Sequence, residues 1–130
     1  MPYNDMTVDI AAFHRKFGLE YDGPPRELPK DVAQFREAFL REEFFEYIYA
    51  KDLVGKLDAL VDLVYVALGT AYLHGFDFDE AWSRVHEANM QKIRAQQADD
   101  SKRSSKYDVV KPEGWEPPVL TDLVRPKHDH

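Results

Sequence analysis

Three observations predict an all-α fold for this chain of 130 residues. Apolar residues recur at helical spacing in four successive segments. Breaks rich in Gly, Pro and Asp separate those segments. No stretch longer than a few residues alternates with the period of a strand. The expectation is a four-helix bundle forming one domain over 1–130, with its core at about 7–98 and an extended C-terminal arm at about 106–130.

The first helix is predicted over 7–17. Val8, Ile10, Ala11, Phe13 and Phe17 are its apolar positions, and Gly18 is its stop. Turn residues fill 22–29, from Asp22-Gly23-Pro24-Pro25 to Pro29. The second helix starts at Lys30 or Asp31 and runs to about Ala50, with Val32, Phe35, Phe39, Leu40, Phe44, Tyr47 and Ile48 as its stripe. Asp52 is a natural N-cap for the third helix, which starts at Leu53 or Gly55 and ends at His74, where Gly75 stops it. Acids at Asp77, Asp79 and Glu80 favour the start of the fourth helix, predicted from Asp79 to Ala95. Residues 99–105 read as a polar, mobile connection. Pro112, Pro117 and Pro118 keep the tail extended, with a short helical turn at 119–124. His128-Asp129-His130 is expected to fray.

Composition excludes several function classes. The chain has no cysteine, which removes disulfides, thiolate metal sites and cysteine nucleophiles. Its net charge is −7, and no basic stripe runs along any predicted face, which argues against nucleic acid as a partner. The uncharged run around Asp62 (59–73) falls short of the ~20 residues a membrane span needs and carries an acid at its centre. Residues 1–6 lack the basic region and apolar core of a signal peptide, so the expected setting is cytoplasmic.

Asp62 is the most informative residue. A helix apolar on all sides is a buried helix, and a buried carboxylate needs a partner or a metal ion. The preceding helix offers no obvious cation. It offers Glu42, Glu43 and Glu46, which share one face at spacings of three and four. Asp58 and Asp62 share a face of the next helix. Antiparallel packing brings the two acidic faces together, and converging carboxylates call for a hard divalent cation, Mg²⁺ or Mn²⁺. A solvated helix face is the usual meaning of an E-E-x-x-E string; the apolar neighbours Phe44, Phe45, Tyr47 and Ile48 weaken that meaning here.

Two further groups stand out. His86, Asn89 and Lys92 form a polar line on the predicted fourth helix, which spacing alone reads as a surface stripe. Lys111-Pro112-Glu113-Gly114-Trp115 puts a lysine in a rigid turn beside a tryptophan. Such a turn can close over an anion, pack its tryptophan on the bundle, or do both.

Glu43-x-x-Glu46 followed by Asp62 resembles the E-x-x-E … E-x-x-D signature of the all-α nucleoside triphosphate pyrophosphohydrolases, the MazG-like and dimeric dUTPase-like group. Four more segments are similar to that family in the same order: Phe13-His14-Arg15-Lys16-Phe17-Gly18, residues 58–70, Val85-His86-x-x-Asn89-Met90-x-Lys92, and Lys111-Pro112-Glu113-Gly114-Trp115. The resemblance covers about residues 7–124. One position departs from it: Ala59 stands where the signature has Glu, with Asp58 adjacent.

The resemblance implies Mg²⁺-dependent hydrolysis of a nucleoside triphosphate, a dNTP, to the monophosphate and pyrophosphate by attack of metal-activated water at the α-phosphorus. It makes Glu43, Glu46 and Asp62 the primary metal ligands and Asp58 an auxiliary one. Glu42 becomes a further ligand or the base that orients the water. Lys92 and Lys111 are candidates for the β- and γ-phosphates, Asn89 for a nucleotide contact, with His86 and then His14 as weaker candidates. It also implies a homodimer or higher homo-oligomer. Two alternatives compete. A ferritin-like di-metal carboxylate oxidase would need Glu-x-x-His pairs, which helices two to four lack. A non-catalytic dimeric nucleotide-binding or interaction module, with a degenerate metal site, is kept open by Ala59.

Overall fold

The computed structural model describes residues 5–125. The expected fraying of His128-Asp129-His130 lies outside the described residues. Four helices follow in order: α1 (Met6–Lys16), α2 (Lys30–Tyr49), α3 (Leu53–His74) and α4 (Phe78–Asn89). Two short strands, β1 (Ile93–Arg94) and β2 (Val109–Val110), are joined through a 3₁₀ turn at Ala98–Asp100, and a second 3₁₀ turn covers Thr121–Val124. The all-α class is as expected, with this minimal sheet added.

The helix ends follow local chemistry. The carboxylate of Asp5 accepts from the Val8 N–H and opens α1. Gly18 takes the left-handed conformation (φ +71°) just past its end. Its N–H donates to Arg15, and the Leu19 N–H donates to His14, so two terminal carbonyls are satisfied. Asp52 caps α3 by accepting from the Gly55 N–H at 2.7 Å. At the other end Gly75 (φ +77°) repeats the left-handed stop, and the Phe76 N–H donates to Ala71. The loop after α1 clips onto this end: the Arg26 N–H donates to His74, the Arg26 Nε to Leu73, and the Tyr21 N–H to the Tyr72 hydroxyl. Carbonyls that a helix end leaves orphaned are thus paired.

The described chain divides into two compact units, 5–78 with 123–125, and Asp79–Asp122. In the first, α2 and α1 both pack on α3. Its buried apolar residues are Ile10, Ala59, Val66, Leu68 and Ala71. Full burial of Ile10 contributes about 1.5–3 kcal/mol. The Phe13 ring meets Tyr65 edge-on, and His14 lies against Tyr72.

One expectation is corrected here. The apolar run of α3 predicted a helix buried on all sides, yet Leu60 is 45% exposed and Val61 54%, with Val64 and Tyr65 also open. Asp62 is half-buried rather than enclosed. Within this unit α1 and α2 do not cover every side of α3.

Two unexpected polar residues lie in this core, His14 and Arg36. Burial holds the His14 imidazole below its ordinary pKa, and the nearby Arg36 charge adds to this, against the hydrogen bond with the Leu19 carbonyl. A histidine with a depressed folded pKa contributes stability that is present above the unfolded value near 6.5 and is lost as pH falls below it. Between pH 7 and 5, therefore, the melting temperature of His14→Gln should fall less steeply than that of the parent. Equal slopes by calorimetry would remove His14 as the cause.

In the second unit α4 ends six residues before the predicted Ala95. The Gln91 and Lys92 N–H groups donate to Ala88 and Asn89, tightening the chain into a turn. Ile93 and Arg94 then pair antiparallel with Val110 and Val109, and the Ala95 N–H donates to Asp108. Ala95, predicted as the end of that helix, is buried in this hairpin instead. The segment expected to be mobile is organised by Asp108. Its carboxylate accepts from the Ser101 hydroxyl and the Arg103 guanidinium, both at 2.6 Å. Those bonds hold its pKa below the usual carboxylate range. Asp100 accepts from the Gln96 and Gln97 N–H groups.

Candidate metal centre

The second and third helices place five carboxylates. Glu42, Glu43 and Glu46 occupy adjacent turns of α2, and each offers an oxygen within 4.8 Å of the others. Asp58 and Asp62 stand four apart on α3. The two sets influence one another. Burial comes first in pushing the Glu43 carboxyl up to about 7, followed by its hydrogen bond to Glu46 and the charges of Glu46, Asp62 and Glu42. Asp62 is raised too, by burial and then by Asp58 and Glu46.

Glu43 is the centre of the group. It is only 6% exposed, and its Oε2 is buried with no hydrogen-bond partner. A buried, unpaired carboxylate oxygen is expensive. The nearby Glu46, Asp62 and Glu42 make it more so, since like charges raise one another's pKa. A hard cation would satisfy the Glu43 oxygen and offset its neighbours together, and carboxylate oxygens are the donors Mg²⁺ and Mn²⁺ take. The residues present therefore fit a divalent metal.

The remaining predicted residues are placed as follows. Glu42 and Glu46 are exposed at the rim, as is Asp58. Ala59 is fully buried beside Asp58, so no carboxylate stands at that position. His86 and Asn89 are exposed on α4. Lys92 lies past the end of α4, in the turn before β1, so the predicted helical line His86-Asn89-Lys92 is broken at its last member. Its Nζ sits 5.1 Å from the centroid of the Trp115 ring, and the Nζ of Lys111 sits at the same distance. His14 is enclosed between Leu19 and Tyr72, in a structural position.

Sequence reasoning missed Arg36. This buried cation of α2 sends Nη2 to the Val66 carbonyl at 2.9 Å and Nε to the Thr70 hydroxyl at 3.0 Å, and not to a carboxylate. The available signal was Gly69-Thr70 on α3, a gap followed by a hydroxyl. A Cβ at Gly69 would meet Arg36 Nη2 at 2.6 Å and His14 Nε2 at 3.1 Å.

A family model, phosphoribosyl-ATP pyrophosphohydrolase, matches residues 10–89. The chain belongs to this family. The match runs from α1 through α4 and includes every carboxylate of the cluster. Membership places the chain among the all-α MazG-like pyrophosphohydrolases, hydrolases that act on a nucleotide acid anhydride and typically use a divalent metal. No curated protein matches the chain. Among the described residues no helix is long and apolar enough to cross a membrane.

Proposed function

We propose that this chain hydrolyses a nucleoside triphosphate, with dNTPs as the favoured class, to the monophosphate and pyrophosphate in the presence of Mg²⁺. One observation carries the reading: the buried Glu43 with an unpartnered oxygen, ringed by acids, in a chain of a pyrophosphohydrolase family. Glu43, Glu46 and Asp62 would hold the metal, with Asp58 as an auxiliary ligand. A bound divalent ion supplies charge neutralisation for the phosphate chain and acidifies water. Glu42, exposed at the rim, is the residue free to orient that water and accept its proton. Lys92 and Lys111 take the β- and γ-phosphates, and Asn89, with His86 beside it, contacts the nucleotide.

The active form in this reading is a homodimer. The exposed Leu57, Leu60, Val61 and Val64 of α3 form an apolar face of the kind that a second copy covers. Sedimentation at micromolar concentration should give about twice the chain mass of 15.1 kDa; a single-chain mass would remove the dimer.

The deciding experiment measures pyrophosphate release from canonical and modified dNTPs, NTPs and phosphoribosyl-ATP, with and without Mg²⁺ or Mn²⁺, beside Glu46→Ala. Metal-dependent release with monophosphate as co-product, lost in the variant, supports the reading. A folded wild type that releases none from any substrate points to the non-catalytic binding module instead. Asp62→Asn should keep the fold and lose turnover, because removing one charge from a repelling group does not harm the metal-free chain. Unfolding of that variant would make Asp62 a structural residue.

A further inference from the structure

The end of α2 is poorly provided for by its own sequence. A helix C-terminus carries partial negative charge and favours a base beside it. The last turn of α2 holds no base, and it holds Glu46. The Tyr47 carbonyl is among those a helix end leaves open. It receives a long bond, 3.4 Å, from the Ala50 N–H.

The missing charge arrives from the next helix. Lys56 stands in the first turn of α3, where its N–H donates to the Asp52 carbonyl at 3.1 Å. Its Nζ donates to the Tyr47 carbonyl at 3.3 Å and lies 4.7 Å from the centroid of the Tyr47 ring. One ammonium group thus engages both the backbone and the side chain of a single residue across the hairpin. Among the described residues it forms no ion pair with a carboxylate. Asp58, two positions further along α3, stands on a different face.

The carboxylates lie between two such ties. Arg36 of α2 holds Val66 and Thr70 of α3, and Lys56 of α3 holds Tyr47 of α2. Glu43 falls between Arg36 and Tyr47 on one helix, and Asp62 falls between Lys56 and Val66 on the other. Glu46 is the immediate neighbour of Tyr47. The short connection at 50–52 keeps the two helix ends close, but by itself it leaves the last turn of α2 able to rotate or unwind. Successive residues share one helical ladder, so a rotation at Tyr47 re-aims Glu46 and Glu43 with it. Lys56 removes that freedom by holding Tyr47 at two points.

We propose that Lys56 is a positioning residue for the carboxylate cluster, and that its hold on Tyr47 sets how tightly the cluster takes a divalent cation. The proposal rests on the metal reading given above. Its sign makes it decidable. A nearby ammonium repels a metal ion, so charge alone predicts tighter metal binding once Lys56 is neutralised. Positioning predicts weaker binding, because carboxylate ligands lose affinity when the groups that orient them are removed.

The test titrates MnCl₂ into the full chain with no nucleotide present, and follows free Mn²⁺ by electron paramagnetic resonance. Lys56→Met keeps most of the aliphatic stem and removes the ammonium; it should weaken Mn²⁺ binding about tenfold. Lys56→Arg, which keeps a donor and a cation for the ring, should regain most of that loss. Tyr47→Leu removes the ring but leaves the carbonyl, and should weaken binding by less than Lys56→Met. Tyr72→Phe is the control for stability alone. It removes the acceptor of the Tyr21 N–H at the far end of α3 and should bind Mn²⁺ like the parent. Urea unfolding and circular dichroism follow the folding of every variant. Binding by Lys56→Met equal to or tighter than that of the parent, or no recovery in Lys56→Arg, would overturn the proposal. So would a loss in Tyr72→Phe as large as that in Lys56→Met. Should Lys56→Met fail to fold, Tyr47→Leu is compared with Tyr72→Phe instead, and equal binding overturns the proposal. The metal reading fails in a different way: a parent that takes up no Mn²⁺ removes the cluster as a cation site, and the role of Lys56 with it. A parent that binds Mn²⁺, with Lys56→Met binding it equally, removes Lys56 alone.

Discussion

Glu43→Gln should abolish nucleotide turnover while raising the melting temperature of the metal-free protein. The two effects share one cause. In the resting cluster the Glu43 carboxyl is enclosed, its Oε2 lacks a partner, and Glu46, Asp62 and Glu42 press negative charge on it. The amide removes the charge that burial penalises and keeps the side-chain shape. It also removes a proposed ligand of the divalent cation, so turnover should drop at least about 100-fold. The pH dependence separates this from a packing effect. A carboxyl raised from 4.5 to about 7 binds its proton more tightly in the folded state. Its penalty is absent below pH 4.5, grows as pH rises, and is complete above about 7. The gain in melting temperature for Glu43→Gln without metal should follow that course. Millimolar Mg²⁺ should raise the melting temperature of the wild type by mass action and leave the variant unmoved. A variant that hydrolyses nucleotide normally would remove Glu43 from the site.

Gly69→Ala should destabilise the chain by about 1–3 kcal/mol, the range for overpacking a filled core. The added methyl would stand 2.6 Å from Arg36 Nη2, and the guanidinium cannot swing aside cheaply. Its two bonds, to Val66 and Thr70, are what satisfy its donors in the interior. His14 closes the other side at 3.1 Å and is itself enclosed. Urea unfolding measures the change. A variant as stable as the parent would mean that Arg36 reorients without penalty.

Much of this fold was legible because its signals are local. Gly18 and Gly75 stop α1 and α3 where a left-handed residue is needed, and Asp52 caps α3 through its own side chain. The acidic face of α2 follows from spacing alone. What escaped was non-local. Residues 90–95 continue a helical pattern, but their backbone finds better partners in Val109 and Val110, far along the chain. The apolar run of α3 reads as enclosed because sequence counts hydrophobic positions and not the helices available to cover them. Arg36, set among Phe35, Phe39 and Leu40, carries no local mark of burial; its acceptors lie thirty or more residues away. The cluster was foreseen as a set of acids, while the one oxygen left without a partner is a product of packing.

The guanidinium of Arg36 also acts as a ruler between two helices. It engages a single carbonyl and a single hydroxyl, one turn apart on α3, and Thr70 is the only serine or threonine that helix contains. Sliding α2 along α3 by one helical turn, about 5.4 Å, would strand a charge in apolar surroundings. The same slide would separate Glu43 and Glu46 from Asp62. The register that houses this cation is thus the register that assembles the carboxylates, and an error in one is an error in both.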